Sequence, residues 1–269
     1  MRSFDNITAV ITGASSGIGQ EMAIQLAPLA KCLILVARRR DRLEALKEEL
    51  LIINPDLLVE LYSVDFADEE AVEEFAETLQ QRTVKVQLLI NNAGSGDRGL
   101  FENSSWNKTR GMLETNIKAL TKLTHALLPD MLRANYGAIL NVSSVAGLVP
   151  VSGMAVYAAS KSYVTSFSEA LRAELRDTGV KVCTLCPGPV KTEFGTIAQR
   201  THELETADSA PGFLYMPLET VAREGLLMVL HDRARVVPGL PMAILITLVS
   251  LLPLFILRRI LENRARMWE

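Results

Sequence analysis

Three side chains between Asn141 and Lys161 have the types and the spacing for carbonyl chemistry. Ser144 precedes Tyr157 by thirteen residues, and Lys161 follows Tyr157 by four. On a helix, four residues make slightly more than one turn, so Tyr157 and Lys161 share a face. A free phenol, with a pKa of about 10, seldom exchanges protons at neutral pH. An ammonium one turn away favours the phenolate and is expected to lower that pKa towards the working range. The Ser144 hydroxyl would hold a substrate carbonyl while Tyr157 exchanges a proton with its oxygen. Such a site moves protons but needs a hydride donor. Tyr-x-x-x-Lys is also the pattern of an exposed helical stripe, so the rest of the chain must decide.

A place for the donor is offered near the N-terminus. Ile7 to Thr12 is a short β-rich run that leads into Thr12-Gly13-Ala14-Ser15-Ser16-Gly17-Ile18-Gly19, and a helix-compatible segment follows from Gln20 to Leu29. Gly13 permits a tight turn, while Gly17 and Gly19 let backbone approach a pyrophosphate at a helix N-terminus. The spacing is G-x-x-x-G-x-G, not the commoner G-x-G-x-x-G. Thr12, Ser15 and Ser16 add hydrogen-bonding groups.

A second strand, Cys32 to Ala37, runs into Arg38, Arg39 and Arg40. An NAD-specific site would place a carboxylate here against the ribose 2′-hydroxyl. Arginine instead suits a 2′-phosphate, which it holds through two parallel hydrogen bonds. NADP(H) is therefore the expected cofactor and Arg38 the expected contact; a solvated basic loop is the bland alternative. Asp41 lies at a plausible sequence distance for the ribose contact, but its position before Arg42-Leu43-Glu44 better fits an N-cap of the next helix.

The remaining elements alternate. Leu57 to Val64 is a third strand, and Asp65 behind it would either meet the adenine amino group or start the next helix. Ala71 to Gln81 is amphipathic, with Val72, Phe75, Ala76 and Leu79 on one face. A fourth strand, Val86 to Ile90, leads to Asn91-Asn92-Ala93-Gly94, a small polar turn that suits a cofactor ribose and is also common without one. Asn116 stands within a helix-like segment, Thr109 to Leu128, where asparagine usually points to solvent or to its own backbone. Gly137 to Val142 delivers Ser143 and Ser144, and Tyr157 and Lys161 open a helix reaching about Arg176. In that helix Phe167, Leu171 and Leu175 are core candidates. Val180 to Leu185 is a sixth strand, ended by Pro187-Gly188-Pro189, and 191–217 loses periodicity, as a loop or small flap does. A last short strand fits Arg235 to Val237.

Repeated strand–helix alternation implies an α/β fold with one doubly wound parallel sheet, whose ligands bind at the C-terminal ends of the strands. The glycine turn, Arg38, Asp65, Asn92, Ser144 and Pro187 all lie just after expected strands.

The chain resembles the short-chain dehydrogenase/reductase family over about Ile7 to Phe194. The matching motifs are Thr12–Gly19, Asn91–Gly94, Asn116, Ser144, Tyr157, Lys161 and Pro187-Gly188 through Thr192. The resemblance implies a seven-stranded Rossmann sheet in a single domain and reversible carbonyl–alcohol conversion with a nicotinamide cofactor. It implies Tyr157 as the acid–base residue, Ser144 orienting the carbonyl, Lys161 gripping the nicotinamide ribose and Asn116 anchoring a water relay. The implied cofactor-binding set is Gly13, Ser15, Ser16, Gly17, Ile18, Gly19, Arg38, Asp65, Asn92, Ala93, Gly94, Tyr157, Lys161, Pro187, Gly188, Val190 and Thr192. A homodimer or homotetramer is implied as well.

With 269 residues, 49% of them hydrophobic, and a net charge of -3, a sizeable core is affordable and neither disorder nor nucleic-acid binding is expected. Cys32, Cys183 and Cys186 are too few for a disulfide scaffold, and Cys183 and Cys186 read as buried structural residues of a strand. No metal site is expected at His125, His202 or His231. The N-terminal MRSFDNITAVITG has no secretory-leader pattern, which favours a cytoplasmic location.

The catalytic unit is expected over 1–238, with a variable substrate loop at about 191–218, and 239–269 is an apolar, then basic, helical segment. Leu240 to Leu257 carries no charge over eighteen residues, and Arg258, Arg259, Arg264 and Arg266 follow. Pro241 and Pro253 argue against one straight helix. Three readings stay open: a helix that closes the cleft or meets a second copy, a peripheral membrane anchor through 240–268, or a span. Together with Phe213, Leu214, Met216 and Leu218, the apolar segment favours a lipophilic ketone or aldehyde substrate of ketoacyl, retinoid-like or steroid-like type. The competing function is a catalytically silent NADP(H) sensor or scaffold at a membrane.

Overall fold

Seven strands alternate with helices along the chain, and the computed structural model describes residues 1, 3–199 and 212–265. The strands are β1 (Thr8–Thr12), β2 (Cys32–Ala37), β3 (Leu58–Ser63), β4 (Leu88–Asn91), β5 (Gly137–Val142), β6 (Val180–Leu185) and β7 (Arg235–Val236). They form one parallel sheet in the order β3-β2-β1-β4-β5-β6-β7. The near-continuous apolar runs of β1, β2, β4 and β5 suit strands covered on both faces, and every residue in them is buried. β3, at one edge, is partly exposed.

Alternation along β1 divides the core into two layers. Ile11 packs with Met22 and Leu26 of α1 (Gly17–Leu26), Leu43 and Leu50 of α2 (Arg40–Ile53), and Val221 and Val229 of α8 (Leu218–Leu230). Val10, on the opposite face, packs with Phe75 and Leu79 of α3 (Glu69–Gln80), Leu127 and Met131 of α5 (Leu120–Ala134), and Leu171 of α6 (Ala155–Glu174). Phe75 is 3% exposed, so truncating it to alanine should cost about 3–5 kcal/mol. The face expected on α3 is the one buried. Its N-terminus is capped by Asp68, whose Oδ1 accepts from the backbone N–H groups of Glu70 and Ala71.

Several boundaries differ from the expectations. α1 starts at Gly17, inside the glycine motif, not at Gln20. α2 starts at Arg40, so Asp41 lies in its first turn and does not cap it; there its carboxylate still faces the positive end of the helix dipole. The expected helix around Asn116 runs from α4 (Trp106–Leu113) through a π-helical segment, Glu114–Ala119, into α5. The aperiodic stretch 191–217 contains α7 (Glu193–Ala198); its part 200–211, with His202, lies outside the described residues.

The C-terminal apolar run is broken into α9 (Leu240–Ser250) and α10 (Leu254–Ala265), bent by 116°. Pro253 lies in the break, where a residue without a backbone N–H cannot continue α9, whereas Pro241 sits harmlessly in the first turn. Among the described residues no single helix is long and apolar enough to cross a membrane. Arg266 and the side chain of Arg264 fall outside the described residues.

Candidate active site

Because all seven strands are parallel, the segments that follow them meet along one edge of the sheet. The glycine turn after β1 is tied to the turn after β4 by side chains of both. Thr12 Oγ1 accepts from the N–H groups of Asn92 and Ala93, each at 2.9 Å, and Asn92 Nδ2 donates to the carbonyls of Thr12 at 2.9 Å and Gly13 at 3.3 Å. The Asn92 side chain therefore helps to shape the cradle.

Glycine is required here by space and by backbone angle. Gly13 has φ +66°, and a Cβ on it would lie 2.9 Å from Ala93 Cα. A Cβ on Gly19 would lie 2.7 Å from the Gly13 carbonyl oxygen and would strike Asn92 Nδ2. Ser16 precedes α1 in extended conformation without capping it through its side chain, which leaves the first N–H groups of α1 facing the cradle. A backbone trough closed by glycines at a helix N-terminus fits the pyrophosphate of a dinucleotide.

The arginines after β2 have different partners. Arg38 is 69% exposed and stands 3.9 Å from the Asp65 carboxylate. Arg39 is the residue that reaches the glycine turn: its Nη2 donates to Ser16 Oγ at 2.9 Å and Ser15 Oγ at 3.3 Å. Asp65 neither caps α3, which Asp68 does, nor stands free, because its Oδ1 also accepts from Ala67 N–H.

Ser144, Tyr157, Lys161 and Asn116 converge beyond β4 and β5. Burial pushes the Tyr157 phenol up to about 12, and the neighbouring Ser144 hydroxyl acts in the opposite direction without offsetting it. The expected lowering by Lys161 is thus not what the structure gives. Lys161 Nζ lies 5.9 Å from the phenol ring centre and donates to the Val142 carbonyl at 2.9 Å. It is itself buried, which brings its pKa down to about 8. Desolvation is the largest influence on both groups.

Asn116 is 1% exposed and points neither to solvent nor to its own helix. Its Nδ2 donates to Ser95 O at 3.0 Å and Ser160 Oγ at 2.9 Å, and its Oδ1 accepts from Ser95 N–H at 2.9 Å. The π-helical segment turns it inward, a common use of such segments. Gly94 lies between the two groups: a Cβ on it would be 3.3 Å from Lys161 Nζ and 3.4 Å from Asn116 Oδ1.

Three further residues had no signal in the sequence. Phe194 of α7 packs its ring on Tyr157 at 5.5 Å between centres, Glu193 binds Arg39, and Ser160 supports Asn116. On the far side, Gly188 meets Met242 of α9, whose Cε would be 2.9 Å from an added Cβ. Val190 pairs with Met216, and Thr192 Cγ2 lies 3.3 Å from the Cβ position of Gly17. The segment after Pro187 thus forms one wall of the cleft. Cys183 and Cys186 are free and buried, with burial raising their pKa values to about 12 and about 11.

A family model described as short chain dehydrogenase matches residues 7–203. The chain is 41% identical over 189 residues to sulfoacetaldehyde reductase of Chromohalobacter salexigens, covering 68% of this chain and 72% of that one. It is 36% identical over 201 residues to the NADP-dependent 3-hydroxy acid dehydrogenase of Schizosaccharomyces pombe, covering 73% and 76%. A short-chain dehydrogenase from Sphingobium yanoikuyae in complex with NADPH superposes with a TM-score of 0.78 at 30% identity over 87% and 88% of the two chains. A short-chain dehydrogenase/reductase from Burkholderia phymatum in complex with NAD gives 0.78 at 26% identity over 92% and 94%. The chain belongs to the short chain dehydrogenase family. It is an oxidoreductase of alcohol and carbonyl groups that uses a nicotinamide cofactor.

Proposed function

We propose that the protein is an NADP(H)-dependent carbonyl reductase in which Tyr157 is the general acid and base. The observation that carries this reading is the buried Tyr157 phenol between the half-buried Ser144 and the buried Lys161. A phenol near 12 is protonated at neutral pH, which suits donation to a carbonyl oxygen. Ser144 and Tyr157 would both donate to that oxygen and make its carbon more electrophilic. A nicotinamide cofactor held in the cradle would supply the hydride. Lys161, cationic in most molecules at neutral pH, would stabilise the phenolate left behind and hold the nicotinamide ribose. Asn116 would anchor the water that returns a proton, since it and Lys161 both border Gly94.

The cofactor-binding set is proposed as Gly13, Ser15, Ser16, Gly17, Ile18, Gly19, Arg38, Asp65, Asn92, Ala93, Gly94, Pro187, Gly188, Val190 and Thr192, with Arg39 added. Support for NADP(H) comes from Arg38, Arg39 and Arg42 after β2, with Asp41 placed in the first turn of α2. Arg39→Ala should weaken NADPH about tenfold or more relative to NADH; equal weakening would contradict this assignment.

A lipophilic carbonyl compound is the proposed substrate. A cavity of about 530 Å³ beside the cleft is lined by Tyr215, Met216, Pro217 and Leu218, with Lys191 at its side. Lys191 favours a second reading, a substrate that also carries an anionic group. We further propose that α9 and α10 rest on an anionic membrane surface from the cytoplasmic side. Of the eleven residues of α9 only Met242 is buried, Leu240, Ile244, Leu248 and Leu251 are exposed, and Arg258 and Arg259 follow without an intervening acid. Turnover across carbonyl compounds graded in chain length and charge tests the substrate class. Preference for small neutral polar compounds would overturn both substrate readings.

A further inference from the structure

Glu193 is the first residue of α7, directly after Thr192 and beside the glycine turn. Two arginines hold its carboxylate: Arg39 Nη1 donates to Oε2 at 2.8 Å, and Arg42 Nη1 donates to Oε1 at 2.7 Å. The other terminal nitrogen of Arg39 is on Ser15 and Ser16. One guanidinium therefore links the glycine turn to α7. At the next position, Phe194 lies on the Tyr157 ring and so close to Gly96 that an added Cβ would stand 2.7 Å from its Cζ. The Ala198 carbonyl accepts from Arg98 N–H at 2.9 Å. α7 is thus held to the arginines through Glu193 and to the catalytic phenol through Phe194.

A carboxylate and a phosphate seek the same guanidinium N–H groups. A 2′-phosphate approaching Arg39 and Arg42 meets a site whose donors already serve Glu193, and it adds like charge beside that carboxylate. We propose that Glu193 sets cofactor specificity by competing with the 2′-phosphate of NADP(H) for Arg39 and Arg42, so that binding of the phosphate releases α7. This rests on the assignment of those arginines to the 2′-phosphate. The competition lowers affinity for the phosphorylated cofactor but gives it an effect that NAD(H) lacks: freeing α7 takes Phe194 off Tyr157. Arg39, Arg42 and Glu193 are 37%, 42% and 43% exposed, so solvent screens the competition and its size is modest.

The test is calorimetric binding of 2′,5′-ADP and of 5′-ADP to the full chain and to Glu193→Gln. The variant should bind 2′,5′-ADP about fivefold tighter, more so at low salt, and should bind 5′-ADP within about twofold of the parent. Hydrogen exchange in α7 should speed up with 2′,5′-ADP and not with 5′-ADP. Equal gains for both nucleotides, or weaker 2′,5′-ADP binding by Glu193→Gln, would overturn the proposal; the latter would mean that Glu193 positions the arginines for the phosphate. Unchanged α7 exchange would overturn the release. A parent protein without preference for 2′,5′-ADP would defeat the NADP(H) assignment itself. The Glu193 competition would then stand if Glu193→Gln created the preference and fall if it did not.

Discussion

Lys161 follows Tyr157 by one helical turn, yet its Nζ binds the Val142 carbonyl at 2.9 Å and stays 5.9 Å from the phenol ring centre. The lysine is fixed by the end of β5, the strand that also delivers Ser144, so the strand sets the cation's position relative to the phenol. With Tyr157 near 12, reduction keeps its protonated donor throughout the neutral range. Alcohol oxidation needs a proton acceptor and should accelerate as pH rises from about 7 to 9, while reduction should slow above about 8 as Lys161 loses the charge that stabilises the phenolate. Initial rates in both directions check this, and an oxidation rate independent of pH would contradict it.

Lys161 also makes folding depend on pH. Its pKa falls from 10.5 to about 8 on burial, so between those values the unfolded chain binds a proton that the folded protein lacks. Stability from this group therefore rises with pH through that window, by up to about 3 kcal/mol. The raised thiols of Cys32, Cys183 and Cys186 act oppositely above 9.0. The contribution is read from the difference between the parent and Lys161→Met in denaturant unfolding at several pH values. The parent should gain on the variant as pH rises from about 8; parallel curves would contradict the burial argument.

Gly19→Ala should damage the cradle. Its methyl group would meet Asn92 Nδ2 and the Gly13 carbonyl, and relieving that contact should cost about 1–3 kcal/mol of stability. Cofactor affinity should fall more than tenfold if the displaced turn is the one that holds the pyrophosphate, as proposed. Thermal unfolding and cofactor titration report the two effects separately.

Asn116→Ala would remove three hydrogen bonds and leave Ser95 N–H, Ser95 O and Ser160 Oγ short of partners. A loss of about 2–4 kcal/mol is expected. Asn116→Asp keeps the acceptor for Ser95 N–H but sets a buried carboxylate oxygen against the Ser95 carbonyl, and should lose at least as much as the alanine variant in chemical denaturation.

If α9 lies on a membrane, Ile244→Asp with Leu248→Asp should reduce sedimentation with vesicles of mixed neutral and anionic lipid by about tenfold or more, leaving turnover of a water-soluble carbonyl compound intact. Both side chains are exposed, at 52% and 60%, so the fold should tolerate the change. Equal sedimentation of parent and variant would contradict the surface contact.

Much of the fold was legible because its strands are parallel and buried on both faces, so that β2, β5 and β6 read as apolar runs with the bounds observed. The placement of Gly13, Ser144 and Asn92 just after strands, along one edge of the sheet, was legible for the same reason. Arg39 was not separable from Arg38, because the choice depends on where α2 begins. With Arg40 as its first residue, Arg39 turns back over Ser15 and Ser16. Glu193 and Phe194 were hidden for another reason. α7 is six residues long with Gly195 inside, too short for periodicity, and it is held by contacts to Arg39, Arg42 and Tyr157 that are distant in sequence. The Tyr157 pKa was misjudged because spacing reveals a nearby charge but not the depth of burial.

The most direct measurement is NADPH consumption by the parent protein and by Tyr157→Phe, with a panel of carbonyl compounds and with NADPH affinity determined for both. The parent should turn over at least one lipophilic member. Tyr157→Phe should lose about 10²–10⁴-fold in turnover and retain NADPH affinity within a few fold. Near-normal turnover by Tyr157→Phe would contradict the assignment of Tyr157 as the proton donor.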